Sequence, residues 1–196
     1  MRSQLNRERT CRTVSFVKLG SLTDIVNDYI QSCRAWAKEE LRFYSSQPSL
    51  HKAIEVSALA RTAEGIRHGH QRRIPKNALE KWASILRKNA GKIGACRTFE
   101  QLIALLESLS IPISGIGPLA VYDTSQRISV FLGVRPKLVY LHAGTREGAK
   151  ALGLDSAGPC IRADELPVAL HSLEPYEVED CLCIYKKEIL ALRRKY

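Results

Sequence analysis

The sequence predicts a mainly α-helical protein, a compact multi-helix domain with one or two short strands. Three observations predict this class. Apolar residues recur every three or four positions over several segments, as they do on the buried face of a helix. Serine, threonine or proline stands where these segments begin, as at helix N-termini. The chain has 196 residues, of which 45% are hydrophobic, and this length supports a core without disulfide bonds.

The predicted elements follow in chain order. Residues 1–20 mix arginine with a short apolar piece, which is typical of a basic arm or of a short strand. Residues 21–196 are predicted to form a single helical domain, with Trp36 and Trp82 in its core. Residues 138–141 fit either a strand or a buried helical turn. Helices are predicted over residues 21–41, 49 to 65 or 69, 75–91, 98–109, 118–132, 146–152, 167–175 and 177–192.

The positive charge of the chain is concentrated in one central segment. The net charge is +10, and residues 61–97 hold ten basic and two acidic residues, whereas residues 154–185 hold seven acidic and one basic. A basic surface from Arg67 to Lys92 favours a polyanionic partner, although a solvated face is the alternative. Because the segment is poor in aromatic residues, duplex backbone is favoured over stacked single strands. The candidate phosphate contacts are Arg67, His68, His70, Arg72, Arg73 and Lys76.

Composition and cysteine spacing argue against metal-binding, disulfide-linked and membrane-spanning proteins. The six cysteines lack the paired spacing of a zinc site, so we predict reduced thiols, no metal and no cofactor. The arginine-bearing N-terminus has no following apolar run, and no stretch approaches 18 consecutive apolar residues. We therefore expect a cytoplasmic protein without a membrane partner.

The most informative motif is Ile-Pro-Ile-Ser-Gly-Ile-Gly-Pro at residues 111–118, between two helical patterns. Gly115 and Gly117 permit a tight turn, Ile116 packs into the groove between the helices, and Pro118 begins the second helix. The N–H groups at that helix start can bind a phosphate oxygen, a contact that reads the backbone of a nucleic acid and not its bases. A turn that serves packing alone is the alternative.

This arrangement resembles the helix-hairpin-helix element of DNA-binding proteins and, more distantly, the DNA glycosylases of the endonuclease III type, over residues 98–133. The resemblance implies a DNA-repair protein that contacts the backbone of duplex DNA. In these glycosylases a catalytic aspartate followed by threonine comes after the second hairpin helix, whereas Asp123 and Thr124 stand within it, six positions after Gly117. The hairpin lysine of bifunctional members and the cysteine cluster of iron-sulfur members are also missing.

We therefore expect a DNA-binding protein without catalysis. One alternative is a diverged glycosylase or lyase in which Asp123 is catalytic, for which a pocket beside Asp123 that admits an extruded base is required. The other alternative is a protein-interaction module. For Asp123 itself, an ion pair with Arg127 on the same helical face or hydrogen bonds from a neighbouring loop are the structural interpretations.

A polar pocket is the functional interpretation of the residues around Asp123. Its second half would come from a glycine-threonine helix start, where free N–H groups and nearby charge can hold an anion. An ordinary capped helix, in which Gly148 allows close packing, is the interpretation that we favour there. The six residues of the candidate pocket are Tyr122, Asp123, Arg127, His142, Thr145 and Arg146.

Overall fold

The computed structural model describes residues 19–193 and confirms the mainly helical class. The described residues divide into two compact units, unit 1 with residues 19–37 and 137–193 and unit 2 with residues 38–136. The helices are α1 (Leu22–Ser32), α2 (Arg34–Ser45), α3 (Leu50–Ala58), α4 (Lys76–Lys88), α5 (Ala90–Gly94), α6 (Phe99–Ser110), α7 (Pro118–Leu132), α8 (Ala143–Ala151), α9 (Pro175–Ile184) and α10 (Lys186–Arg193).

Two strands, β1 (Leu138–Tyr140) and β2 (Cys160–Arg162), complete the architecture of the described residues, together with 3-10 turns at Gly69–Gln71, Ala163–Glu165 and Val168–Leu170. The predicted basic arm at residues 1–20 lies almost wholly outside the described residues. Compact units of this size occur both within one domain and as separate domains. The predicted single domain over residues 21–196 therefore stays a prediction.

Helix starts follow the capping residues that the sequence offers. The hydroxyl oxygens of Ser21, Ser49 and Thr98 accept hydrogen bonds from backbone N–H groups in the first turns of α1, α3 and α6, at 3.1, 3.3 and 3.2 Å. These bonds satisfy N–H groups that have no partner inside the helix. Pro75 precedes α4 by one residue, and Pro118 occupies the first turn of α7.

Several predicted helices are shorter than expected. The predicted helix over residues 21–41 is interrupted at Cys33, which ends α1 and whose buried thiol lies 3.7 Å from the hydroxyl of Tyr185. The second predicted helix ends at Ala58, because Ala60 has a φ of 53° and so turns the chain out of the helical path. The last predicted helix is interrupted at Tyr185, between α9 and α10.

Unit 1 packs helices on a two-stranded sheet. Residues 138–141 contain a strand and not a helical turn, because β1 pairs antiparallel with β2 and places Val139 opposite Ile161. Arg34 at the start of α2 donates to the carboxylate of Glu177 on α9 at 2.8 Å. The core prediction for Trp36 is wrong, since this side chain is 41% exposed. The core combines the strands with α1, α8, α9 and α10.

Unit 2 is helical throughout and contains the glycine-rich turn. Helix α3 packs against α4 and α7, and α6 packs against α7. Trp82 on α4 is fully buried, as predicted, and its indole N–H donates to the hydroxyl of Thr124 on α7 at 3.2 Å. This bond gives the buried indole nitrogen a partner and fixes α4 against the middle of α7.

Candidate functional site

The turn over residues 111–117 joins two helices that pack against each other, α6 and α7. Gly115 has a φ of +94°, a conformation that side chains other than glycine rarely adopt. Gly117 is the N-cap of α7 and has extended backbone angles, φ −94° and ψ 176°. A Cβ added at Gly117 would meet no atom within 4 Å. The two predicted glycines therefore have different roles, one in the turn geometry and one at an open helix start.

The turn and the start of α7 contain one pair of buried residues and one pair of exposed residues. Ile113 and Ile116 are buried, and the N–H of Ile116 donates to the carbonyl of Ile113 at 3.3 Å. The amide and the side chain of Ile116 are therefore both used within the turn, and a contact of this residue with a nucleic acid stays a prediction. Gly117 and Leu119 are exposed, and their N–H groups have no acceptor within α7.

The turn lies against the beginning of α4, a helix that carries basic residues. A Cβ at Gly115 would lie 3.5 Å from Pro75 and 3.6 Å from Ala78. The ammonium group of Lys81 donates to the carbonyl of Pro112 at 3.1 Å. Lys76, the residue after Pro75, is exposed. The turn and the basic segment, which are about 40 residues apart in sequence, thus form one surface of unit 2.

Most of the predicted cationic residues are exposed. Of the ten basic residues in segment 61–97, only Arg67 is partly covered, and its guanidinium donates to the carbonyl of Ile74 at 2.9 Å. This hydrogen bond stabilises the loop before α4. Arg72 and Arg73 are exposed, whereas Lys76 lies 3.5 Å from Glu80 in an ion pair that is largely solvated.

His68 does not belong to the surface that the sequence predicted. It is 8% exposed, and its Nε2 lies 2.7 Å from the hydroxyl of Tyr44 and 3.5 Å from a carboxylate oxygen of Glu40. Burial, followed by the positive charge of Arg127, lowers the pKa of His68 to about 3. The burial of His68 gives no support to its expected phosphate contact, because a buried neutral imidazole offers no charge to a ligand.

Asp123 and Arg127 are joined through a glutamine that the sequence does not predict as a site residue. The side-chain amide of Gln71 donates to Asp123 at 2.7 Å, and the Arg127 guanidinium donates to the amide oxygen of Gln71 at 3.0 Å. Nε2 of the half-exposed His70 also lies 2.8 Å from the Asp123 carboxylate. This geometry matches the predicted alternative in which a neighbouring loop donates to Asp123. The imidazole of His70 is therefore bonded inside the protein, to Asp123.

These groups form a polar cluster, defined by Glu40, Tyr44, His68, His70, Gln71, Asp123 and Arg127. The Arg127 guanidinium is nearly buried and lies 5.5 Å from the centroid of the Tyr44 ring. Burial raises the pKa values of Glu40 and Tyr44, and the positive charge of Arg127 opposes both shifts. The cluster thus holds one buried cation among carboxylates, and its hydrogen bonds fix the loop before α4 on α7.

The remaining residues of the predicted pocket make contacts within their own units. In unit 1, the Thr145 hydroxyl donates to Glu179 at 2.7 Å, and the Arg146 guanidinium donates to the carbonyls of Leu141, Ser156 and Gly158. His142 is the N-cap of α8 but makes no side-chain cap bond. In unit 2, Tyr122 is buried against Phe99. A pocket that joins all six residues stays a prediction.

Gly148 has the packing role that we favoured. A Cβ at this position would overlap the carbonyl oxygen of Leu182 and lie 3.0 Å from its carbonyl carbon. Only glycine therefore lets α8 approach the backbone of α9 so closely. The α8 start is consequently a close-packed helix start, and its threonine and arginine are used for internal bonds.

Asp123 lines neither of two concave sites in the described part of the chain. A groove of about 520 Å³ lies between α3 and α4, with His51, Glu55, Glu80, Arg87 and Lys88 among its lining residues. A cavity of about 280 Å³ in unit 1 is lined mainly by apolar residues between Ala163 and Val178. Within residues 19–193, no group of three or more potential metal ligands was found, and no helix is long and apolar enough to cross a membrane.

Comparison of the chain with protein-family models, with curated proteins and with solved structures found no match to any of them. The five cysteines in the described part of the chain are free thiols. Unit 2 therefore holds the two candidate functional features, the exposed turn with Lys81 beside it and the polar cluster.

Proposed function

We propose that this protein binds the backbone of duplex DNA through the turn at residues 111–118 and the basic residues around the start of α4. One observation carries the proposal: an open helix start lies beside exposed cationic side chains. Gly117 has nothing within 4 Å of its added Cβ, and Lys81 bonds to the turn itself at Pro112. This is the function that the sequence predicts from its helix-hairpin-helix resemblance.

The open helix start supplies the donors. Pro118 has no N–H, so the donors at this end of α7 are the amides of Gly117, Leu119 and Ala120, which have no acceptor within the helix. The positive end of the helix dipole adds to their attraction for an anion. A phosphate oxygen can approach closely because Gly117 carries no side chain. Such contacts position a duplex without reading its sequence.

The exposed face of α4 supplies the charge. Lys81 and Lys88 are seven residues apart and lie on one face of the helix. At 1.5 Å per residue they are separated by roughly 10 Å along the helix axis, which is about three phosphates along the axis of one DNA strand. Lys81 connects this face to the turn. The surface therefore presents Lys81 and Lys88 at a separation that matches about three phosphates of one DNA strand. The uncharged N–H donors of the α7 start complete this surface.

The first test is the salt dependence of binding. We expect the logarithm of the affinity for a duplex to fall linearly with the logarithm of the salt concentration, with little sequence preference. Lys81→Gln is expected to reduce the slope by about 0.9, the contribution of one phosphate contact. Lys52→Gln is the matched control, because Lys52 lies on α3 and pairs with Glu55. A flat salt dependence, or equal slopes for both variants, contradicts the proposal.

The second test is Gly117→Val. Its backbone angles suit any residue and its surroundings are empty, so the fold should tolerate valine, whose methyl groups would cover the amides. Losing one charge-assisted backbone contact corresponds to roughly a tenfold loss of duplex affinity. Gly91→Val is the control, since Gly91 also lies in unit 2, is exposed and has nothing within 4 Å of an added Cβ. Equal affinities of the two variants would assign the turn to packing alone.

The glycosylase and protein-interaction alternatives stay predictions. For a glycosylase, Asp123 would have to release its bonds to His70 and Gln71 before acting on a base. Incubating the protein with duplexes that hold a damaged base, and then resolving the strands after alkaline cleavage, tests for this activity directly.

A further inference from the structure

The groove between α3 and α4 in unit 2 lies outside the turn that the proposed function uses. Its volume of about 520 Å³ is in the range of small-molecule sites. Leu59 and the nearly buried Ala83 supply apolar contacts, and ionisable side chains form most of the remaining lining. The ionisable residues are His51 and Glu55 on α3 and Glu80, Arg87 and Lys88 on α4.

The two helices run in opposite directions along the groove. A Cβ added at Gly94, in the short helix α5 that follows α4, would lie 3.0 Å from the side chain of Leu50, the first residue of α3. This contact places the end of α4 beside the beginning of α3. Arg87, in the last turn of α4, therefore lies at the same end of the groove as His51. Glu80 is roughly 10 Å from Arg87 along the helix axis, towards the other end.

The two ends of the groove differ in unpaired charge. Each glutamate of the groove pairs with a lysine of its own helix, at 3.1 Å for Lys52 and Glu55 and at 3.5 Å for Lys76 and Glu80. In the part of the chain that the structure describes, the two exposed cations at the end of α4 make no ion pair, and neither does the imidazole of His51. The groove therefore presents unpaired positive charge at one end only.

We propose that this groove binds a mononucleotide, with its phosphate beside Arg87 and Lys88 and its base towards Glu80. The inference is independent of the proposed function. A guanidinium group can donate two parallel hydrogen bonds to a phosphate, and an ammonium group adds charge. The Glu80 carboxylate keeps lone pairs beside its ion pair, so it can accept hydrogen bonds from sugar hydroxyls or from a base amino group. Leu59 and Ala83 offer apolar contact to the face of the base.

The acidic side chains of the groove favour a mononucleotide over the backbone of a duplex as the occupant. Each DNA strand carries a phosphate about every 3.4 Å along the helix axis, so a strand that lay along the groove would bring phosphates close to Glu55 and Glu80. Like charges at such distances repel each other. A mononucleotide carries its negative charge at one end only, and this distribution matches the unpaired charge of the groove.

Titration calorimetry of the full chain compares adenosine 5′-monophosphate, adenosine and inorganic phosphate. We expect the nucleotide to bind at least about tenfold more tightly than either of the other two, because only the nucleotide contacts both ends of the groove. Arg87→Gln should weaken nucleotide binding about tenfold, which corresponds to one charge-assisted hydrogen bond, and leave adenosine binding unchanged. Arg42→Gln is the charge-matched control, because Arg42 is exposed on α2 and pairs with Glu39 outside the groove.

Ser84→Leu tests whether the nucleotide lies in the groove. Ser84 is exposed on the α4 side of the groove, and leucine is a good helix former. The larger side chain should therefore fill the groove without disturbing the core, and we expect the nucleotide affinity to fall at least about tenfold. Ser108→Leu is the matched control, since Ser108 is exposed on α6 and does not line the groove.

The outcomes separate this inference from the proposed function. Absence of nucleotide binding, equal affinities for the three compounds, or an unchanged nucleotide affinity in Arg87→Gln or Ser84→Leu overturns the inference. Duplex binding is measured separately on the same protein. Nucleotide binding without duplex binding would overturn the proposed function and leave the groove as a nucleotide site.

Discussion

Two helix starts in this protein carry similar sequence signals and have different structures. The start of α7 follows Gly117, and the start of α8 contains Gly144, Thr145 and Arg146. At α7 the glycine faces open space, whereas at α8 a Cβ on Gly144 would lie 2.5 Å from the sulfur of Cys183. A glycine before exposed N–H groups therefore indicates an anion-binding site only when no neighbouring helix or strand fills the space beside the glycine.

The cations near the two helix starts differ in the same way. The sequence favours Arg146 as a charged partner for an anion at α8, but its guanidinium is engaged by three backbone carbonyls. Lys81 near α7 makes one bond to Pro112 and remains exposed. The Arg146 guanidinium, bound to three carbonyls, contributes to stability, whereas the exposed Lys81 ammonium keeps further N–H donors for a ligand.

Gly148→Ala in the close-packed α8 is expected to destabilise the folded protein. The added methyl group would overlap the Leu182 carbonyl, and overpacking against backbone costs about 3 kcal/mol. The better helix propensity of alanine returns about 1 kcal/mol, so we expect a net loss of roughly 2 kcal/mol in the free energy of unfolding, measured in urea. Gly91→Ala, with open space around its Cβ, should lose nothing. Equal stability of both variants would show that α8 and α9 do not pack so closely.

Arg146→Met tests whether the α8 start is structural. It leaves the carbonyls of Leu141, Ser156 and Gly158 without their donor, which should cost about 1–2 kcal/mol of unfolding free energy. Arg162→Met is the charge-matched control, because Arg162 pairs with Asp164 on the surface, where ion pairs contribute little to stability.

The same two variants also test whether the start of α8 binds phosphate. Duplex affinity of Arg146→Met should equal that of Arg162→Met, measured by fluorescence anisotropy at one salt concentration, because each variant removes one positive charge from unit 1. A loss of affinity confined to Arg146→Met would assign phosphate binding to α8 as well.

The sequence predicts the helix caps and the turn before α7, because these features depend on residues that are close together in the chain. Ser21, Ser49 and Thr98 cap helices because the donor lies three residues away in the chain. The turn before α7 was predicted for the same reason, since its glycines and its proline are adjacent in sequence. Helix interruptions at Cys33 and Tyr185 were missed because the contact between these residues spans 152 positions, and the apolar spacing continues through both breaks.

The polar cluster shows why the candidate site was only partly predicted. Asp123 was singled out, but its bond to Gln71 spans 52 positions, and a glutamine between two basic residues carries no signal of burial. His68 and His70 are separated by one residue, and one is buried whereas the other is half exposed. Sequence spacing could not distinguish them, because a 3-10 turn at Gly69–Gln71 and not a helix or strand sets their directions.

The buried His68 and the half-exposed His70 also differ in what they contribute to the pH dependence of stability. Because the pKa of His68 falls from 6.5 to about 3 on folding, the unfolded chain binds a proton that the folded protein rejects. Stability from His68 is thus complete above pH 6.5 and is lost as the pH falls towards 3, by at most about 1.4 kcal/mol per pH unit.

His68→Gln should remove this part of the pH dependence, which urea unfolding at pH 5 and pH 7 measures. Glutamine keeps a polar partner for Tyr44 but does not titrate. Glu40 contributes with the opposite sign, since burial raises its pKa and its stabilising effect is lost as the pH rises, but Glu40 is present in both proteins. If native protein and variant lose the same free energy of unfolding between pH 7 and pH 5, His68 is protonated in the folded state. The buried position would then have to open to solvent, and the contrast with His70 would disappear.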